Sequence, residues 1–218
     1  MIGEATYKLY YYPGNANLAP HMLLEELGVP YELVLVDRER NEHRSPDYLK
    51  LNPNGVIPTL VDGDLVLYET AAICLHLVDR HPEAGFAPAL GTEARAHFYK
   101  WLVYLTNTLQ AELLVYFYPE RLVDDANAAA QVKRHAEERI GAMLDLLESA
   151  LAAHGGDYLL GTGFSAVDPY LLMLARWTRL MYRPARQRPH LARFLARMIE
   201  RPAIQRTFAA EGLGDPFY

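Results

Sequence analysis

Asn52 to Ile73, NPNGVIPTLVDGDLVLYETAAI, decides how the rest of the chain is read. Asn52-Pro53-Asn54-Gly55 is turn chemistry, and Ile57-Pro58 opens an apolar run. Proline at a strand start removes a ladder donor, so this strand needs an edge position or a special geometry. A cis Ile57–Pro58 bond would turn the Ile57 backbone outward, leaving its N–H and C=O to an extended peptide. Asp62-Gly63-Asp64, between two short apolar runs, signals a tight hairpin. Glu69-Thr70 then precedes a helical pattern, TAAICLHLVDRH at 70–81, with Ala71, Cys74, Leu75 and Val78 on one face. Thr70 is the expected cap, and the free N–H groups of the first turn make a carboxylate site. Each of these parts is common alone; their joint order is not.

Working outward, YKLYYY at 7–12 reads as a strand stopped by Pro13-Gly14. LAPHMLLEEL at 18–27 places Leu18, Met22, Leu23 and Leu27 near helical spacing, with Gly28 as the stop. YELVLV at 31–36 is a second strand, and the polar DRERNEHRSPDY carries the chain irregularly to Leu51. After residue 82 the strand signals vanish. PEAGFAPALGT at 82–92 reads as a linker, and long helical patterns follow over roughly 93–117, 124–153, 166–182, 190–200 and 202–211. Gly155-Gly156, Pro189 and Pro202 punctuate them. The expected layout is α/β plus all-α: a small α/β domain at 1–82, then an all-helical domain at 92–218.

Composition narrows the class. The 218 residues are 51% hydrophobic, which excludes a disordered chain. Acidic residues outnumber basic ones, 27 to 21, which speaks against general nucleic-acid binding. LVLYETAAICLHLV is interrupted by Glu69 and His76, so it falls short of the roughly 18 apolar residues of a membrane helix. MIGEATYKLYYY lacks the layout of a secretory signal, and a single cysteine, Cys74, forbids an internal disulfide; the cytoplasm is the expected compartment. No H-x-x-x-H pair or carboxylate cluster points to a metal.

The string N-P-x-G-x-I-P-x-L, followed by the D-G hairpin and E-T-A-A-I, resembles the glutathione-binding domain of the cytosolic glutathione S-transferase family. KLYYYPGNANLAPHMLLEELG is similar to the first β-α unit of its bacterial beta-class members. GTGFSAVDPYLL at 161–172 is similar to the family's G-x-x-x-S-x-x-D element. There Ser165 should accept a helix N–H while Asp168 reaches back, a capping box of structural purpose. The resemblance implies a thioredoxin-like domain followed by a helical one, homodimerisation, and an electrophile pocket between the domains. It implies glutathione as co-substrate, with no permanently bound cofactor. Carried over by residue, Ile57, beside Val56 and cis-Pro58, pairs with the cysteinyl part of glutathione. Glu69 and Thr70 hold the γ-glutamyl amine and carboxylate. Arg38, Arg40, His43 and Arg44 are all candidates for the glycyl carboxylate.

The resemblance departs at the activating group. Transfer needs a thiolate, and family members stabilise it with a tyrosine, serine or cysteine near the first strand's end. Ala16 stands where beta-class members carry cysteine, Asn15 where Ser-type members carry their hydroxyl, and Gln110 where the beta-class histidine is expected. Asn15 therefore ranks first as donor, followed by Tyr11, which precedes the Tyr12-Pro13 pair, and Asn17. Alternation puts Tyr10 and Tyr12 on one face and Tyr11 on the other. Cys74, mid-helix on an apolar face, reads as inert, and His21 as orienting the first helix. Gln110, Tyr116 and Trp177 are expected at the substrate pocket. Arg176, Arg179 and Arg183 fall on one helical stripe, a solvated face or an anionic-substrate site. The expected activity is a detoxifying conjugation of glutathione to small apolar electrophiles. The alternatives are a non-catalytic glutathione-binding protein and a regulatory interaction module of the same fold.

Overall fold

The computed structural model describes residues 7–155, 157–161 and 163–218, so Gly156 lies outside the described residues. The chain divides into two compact units: residues up to Ala87 together with Ile199–Phe217, and Pro88–Met198 together with Tyr218.

In the first unit β1 (Tyr7–Tyr11), α1 (Leu18–Leu27), β2 (Tyr31–Leu35), α2 (Pro46–Leu51), β3 (Thr59–Asp62), β4 (Leu65–Tyr68) and α3 (Thr70–Arg80) follow one another. The sheet order is β2-β1-β3-β4, with β1 parallel to β2 and antiparallel to β3, and β3 antiparallel to β4. This is the thioredoxin-like layout that the resemblance implies. Period-two alternation sets the faces: Tyr7 and Leu9 are buried while Lys8 between them is exposed. α1 buries Leu18, Met22, Leu23 and Leu24 and ends at Gly28, whose φ of 66° lets its N–H close onto the Leu24 carbonyl. The hairpin closes on the Asp62–Leu65 pair, with Gly63 at φ 59°.

Two readings change here. The helix at 70–80 buries Ile73, Cys74, Leu77 and Val78, so its inward face is rotated from the Ala71–Leu75 stripe. The stretch read as irregular contains α2, started by Ser45, which accepts the Tyr48 N–H at 3.2 Å, and by Pro46 in the first turn. The charge run hid this Ser-Pro signal; the burial of Tyr48 holds the helix in place.

The second unit holds α4 (Glu93–Tyr104), α5 (Ala111–Phe117), α6 (Ala126–Ala153), α7 (Val167–Trp177) and α8 (Pro189–Ile199). The single helix expected at 93–117 is two, joined by a π-helical segment, Leu105–Gln110. α7 is buried along Val167–Arg176 and forms the centre of the unit. It ends at Trp177, so the expected stripe does not exist: Arg176 is buried, and Arg179 and Arg183 lie beyond the helix. Asp168 reaches back as expected, accepting the N–H groups of Ser165 (2.7 Å) and Leu159 (2.8 Å). The Ser165 hydroxyl differs from expectation in donating to that carboxylate at 3.1 Å. Glu148 of α6 caps α8 by accepting the N–H groups of His190 and Leu191.

The last helix, α9 (Pro202–Ala210), leaves the helical unit and packs on α1. Arg201 and Arg206 reach Glu26 and Glu25 of α1, so the helical unit within the expected 92–218 ends at Met198 apart from Tyr218.

Candidate functional site

Strand register brings the candidate residues to one end of the sheet. Tyr10 pairs with Thr59 and Thr59 with Tyr68, so Tyr11, Pro58 and Glu69 are the next residues out on three adjacent strands. Tyr11 also pairs with Leu35, and the Val36 N–H donates to the Tyr11 carbonyl at 2.9 Å, which carries Arg38 to the same end. α1 and α3 begin there too, so two helix N-termini face one region.

The loop from Tyr12 to Asn17 is held from below by a residue 194 positions away. Glu211, fully buried at the end of α9, accepts the Gly14 N–H (2.8 Å), the Asn17 amide (2.8 Å) and His21 Nδ1 (2.7 Å). Asn17 passes the constraint on, its Oδ1 accepting the Tyr12 N–H at 3.2 Å. His21 continues to Tyr31 at 3.0 Å, and the Tyr31 hydroxyl donates to Glu25. Asn17, the third-ranked donor candidate, has no exposed surface and both ends of its amide engaged, which ties it into the loop. Asn15 is half-buried; its Oδ1 accepts from Arg38 Nη1 at 2.8 Å, and its amide nitrogen makes one long contact, 3.4 Å to the Pro13 carbonyl. Tyr10 and Tyr11 are both half-buried, so exposure does not divide the tyrosines as alternation suggested. Among the described residues the Tyr11 hydroxyl has no hydrogen-bond partner.

The Ile57–Pro58 bond is cis. Val56 is exposed, and its carbonyl is fixed by the Tyr48 hydroxyl (2.7 Å) and the Asn52 amide (2.8 Å). Burial raises the Tyr48 phenol pKa, which keeps it a donor. Among the described residues nothing pairs with the Ile57 N–H or C=O. Thr70 is not the cap of α3: the cap position belongs to Glu69, and Thr70 is the first helical residue. No side chain caps this helix, so its first-turn N–H groups keep their donors. Glu69 is exposed and sits at φ 72°, ψ 112°, a conformation costing about 1–3 kcal/mol outside glycine.

The four basic candidates separate. Arg38 bonds Asn15, Arg40 lies 3.4 Å from Asp37, and Arg44 donates to the Asn54 carbonyl at 3.2 Å. Burial, then Arg38 and Arg44, lowers the His43 pKa, so these groups form one cationic neighbourhood. Cys74 is fully buried and burial drives its thiol pKa far up, leaving no reactive thiolate.

In the helical unit Tyr116 and Trp177 belong to one aromatic run through Phe117, with ring centroids 5.3 Å and 6.3 Å apart. Lys133 lies 4.7 Å over the Tyr116 ring. Gln110 lies on the same helical run, roughly a third of a turn around the axis from Tyr116. Its Oε1 accepts from the buried Tyr170 hydroxyl, which leaves Nε2 as its donor end. Glu211, Tyr48 and Asn52 hold the loops around these candidates and were not among the residues expected at the site. Only Asn52 had a local signal, its turn motif, in which Oδ1 accepts the Asn54 N–H at 3.1 Å. Among the described residues no group of three or more His, Cys, Asp or Glu is disposed to hold a metal, and no helix is long and apolar enough to cross a membrane.

Two family models match: the N-terminal domain of glutathione S-transferase over residues 5–79, and its C-terminal domain over residues 126–197. Glutathione S-transferase 3 of Zea mays is 34% identical, with 97% of each chain covered. Glutathione S-transferase GstA of Escherichia coli O157:H7 is 29% identical, covering 94% of this chain and 99% of the relative. A solved glutathione transferase homologue from Sulfitobacter, with bound glutathione, superposes with a TM-score of 0.87 at 28% identity over 96% of this chain and 100% of that one.

Proposed function

Because this chain belongs to the glutathione S-transferase family, we propose that the end of the sheet described above takes up glutathione and activates its thiol through Asn15. The protein is a glutathione transferase. The observation carrying the site assignment is the convergence of the unpaired Ile57 backbone with the uncapped start of α3 and the strained Glu69. An extended cysteinyl residue takes both Ile57 backbone groups as a short added strand, beside Val56 and Pro58. The γ-glutamyl carboxylate meets the N–H groups of Thr70 and its helix turn, and the ammonium meets the Glu69 carboxylate. The glycyl carboxylate goes to Arg44, which exchanges its 3.2 Å bond to the Asn54 carbonyl for it, with His43 beside it.

Asn15 Nδ2 donates to sulfur, and the α1 N-terminus adds positive field. The thiol proton leaves to solvent. The sulfur lone pair then forms a C–S bond with the electrophilic carbon, whose leaving group or conjugated acceptor takes the displaced electron pair. No covalent bond to the enzyme is needed; the gain comes from holding both reactants and stabilising the anion. Tyr11 is the second donor in rank. Tyr116 and Trp177 offer apolar area to a small electrophile, and Gln110 Nε2 offers one polar contact. With Ala16 in place of the cysteine, this reading sets the chain beside the bacterial beta-class enzymes as a relative without their catalytic cysteine, homodimeric and cytoplasmic.

Calorimetry with glutathione, together with conjugation assays on an aryl halide and an enone, tests the reading. Glu69→Ala should weaken glutathione binding about tenfold to hundredfold, the cost of one hydrogen bond to a charged group. Unchanged affinity removes the site assignment, whereas tight binding without turnover of either electrophile favours a binding protein.

A further inference from the structure

We infer that Arg38 is a positioning residue for thiol activation, holding the Asn15 amide so that its nitrogen is turned to the glutathione sulfur. The inference rests on Asn15 being the donor proposed above. An asparagine side chain offers an acceptor at one end and a donor at the other, and only the donor end stabilises a thiolate. Arg38 Nη1 lies 2.8 Å from one end of the Asn15 amide. A guanidinium has donors only and stays charged, so that end is the carbonyl oxygen and the opposite end is the nitrogen. The nitrogen's single long contact, 3.4 Å to the Pro13 carbonyl, is readily exchanged for sulfur.

The neighbouring structure makes this contact a built one. Pairing of β1 with β2 delivers Arg38, through the bond from the Val36 N–H to the Tyr11 carbonyl, to the loop that contains Asn15. The turn carrying Arg38 is itself ordered: Asp37 Oδ1 accepts the N–H groups of Glu39 (2.9 Å) and Arg40 (3.2 Å), and the Arg38 carbonyl accepts from the Asn41 N–H at 3.1 Å. From the other side Glu211 anchors Gly14 and Asn17, which flank Asn15. The loop backbone is thus held from within the unit, and the orientation of the Asn15 amide is held by Arg38. Donation from a charged group also polarises the amide, which strengthens the bond its N–H groups give.

Arg38 has a competing role, as direct partner of the glycyl carboxylate, and the two roles separate in one set of measurements. The thiolate of bound glutathione is followed by its ultraviolet absorbance in a pH titration, and affinity by calorimetry, for the full chain and for Arg38→Met, Arg38→Lys, Asn15→Ala and the Arg38→Met/Asn15→Ala double variant. Arg38→Met should raise the bound-thiol pKa by about one unit, leaving roughly a tenth of the thiolate well below that pKa. The turnover number should fall in proportion, while glutathione affinity changes by less than about threefold. Arg38→Lys retains a donor for Oδ1 and should recover part of the thiolate. In the Asn15→Ala background Arg38→Met should add nothing, since it acts through the missing amide. Weaker binding at an unchanged thiol pKa assigns Arg38 to the carboxylate and overturns the inference. Equal pKa shifts with and without Asn15 reduce Arg38 to a diffuse field and overturn it as well. A shift in Asn15→Ala without one in Arg38→Met defeats this inference alone, whereas no shift in Asn15→Ala defeats the reading of Asn15 and this inference with it.

Discussion

Removal of the Glu211 carboxylate tests the most concentrated piece of buried chemistry in the first unit. Its side chain has no exposed surface and accepts three donors at 2.7–2.8 Å: the Gly14 N–H, the Asn17 amide and His21 Nδ1. Glu211→Ala removes this acceptor from the Gly14 N–H, the Asn17 amide and His21 Nδ1, the last two on fully buried side chains. A single orphaned donor costs about 1–3 kcal/mol, and breaking a buried charged cluster by removing one member costs about 3–5 kcal/mol. The larger figure applies here, because no neighbouring group replaces the carboxylate. For a chain of this size that loss lowers the melting temperature by about 6–20 °C. Glu211→Gln keeps the volume but offers one acceptor oxygen, so it should cost less, about 1–3 kcal/mol. Asn17→Ala should be non-additive with Glu211→Ala, since both sever the same tie between α9 and the β1–α1 loop. Thermal and urea unfolding of the parent, Glu211→Ala, Glu211→Gln, Asn17→Ala and the Glu211→Ala/Asn17→Ala double variant measures each value. A Glu211→Ala variant within 1 kcal/mol of the parent would refute the claim that this carboxylate anchors the loop.

Three further outcomes are expected. Thr70→Gly should weaken glutathione binding by more than Thr70→Ser in calorimetry, because the start of α3 is then less ordered around the carboxylate. Burial alone would push the Glu148 carboxyl pKa up, but the N–H groups of His190 and Leu191 and the His190 side chain bring it below its ordinary value. Its stabilisation is therefore complete above that ordinary value and lost as pH falls through the lowered one, so Glu148→Gln should destabilise by about 1 kcal/mol at neutral pH and progressively less in acid unfolding titrations. Light scattering should report about twice the 24.7 kDa chain mass at micromolar concentration, and a clean monomer would contradict the proposed dimer.

Much of the first unit was legible because its signals are short-range. The Leu18–Leu27 helix and its Gly28 stop, the turn at Gly63, and the Ile57-Pro58 strand entry are each set within a few residues by torsional preference and side-chain period. α2 was hidden because DRERNEHRSPDY is dominated by charge, and what stabilises α2 is Tyr48 buried against Thr59 and Val56, a contact outside its own segment. The break between α4 and α5 was hidden as well, since a π-helical segment retains the apolar rhythm of the helices it joins.

By itself the amino-acid sequence determined the layout of the α/β unit, its hairpin and the family resemblance, because period, turn chemistry and proline placement act on neighbouring residues. It ranked Asn15 ahead of Asn17 by family resemblance alone, for the two share a side chain and differ only in surroundings. In the tertiary structure those surroundings differ: Asn17 is desolvated and bonded to Tyr12 and Glu211, while Asn15 stays half-buried with Arg38 on its oxygen. The tertiary structure likewise sent α9 back to α1, where Arg201 meets Glu26 across 175 positions and Glu211 meets His21 across 190. Hydrogen-bond partnership and desolvation depend on distance in space, and chain positions so far apart acquire a spatial distance only when the core folds.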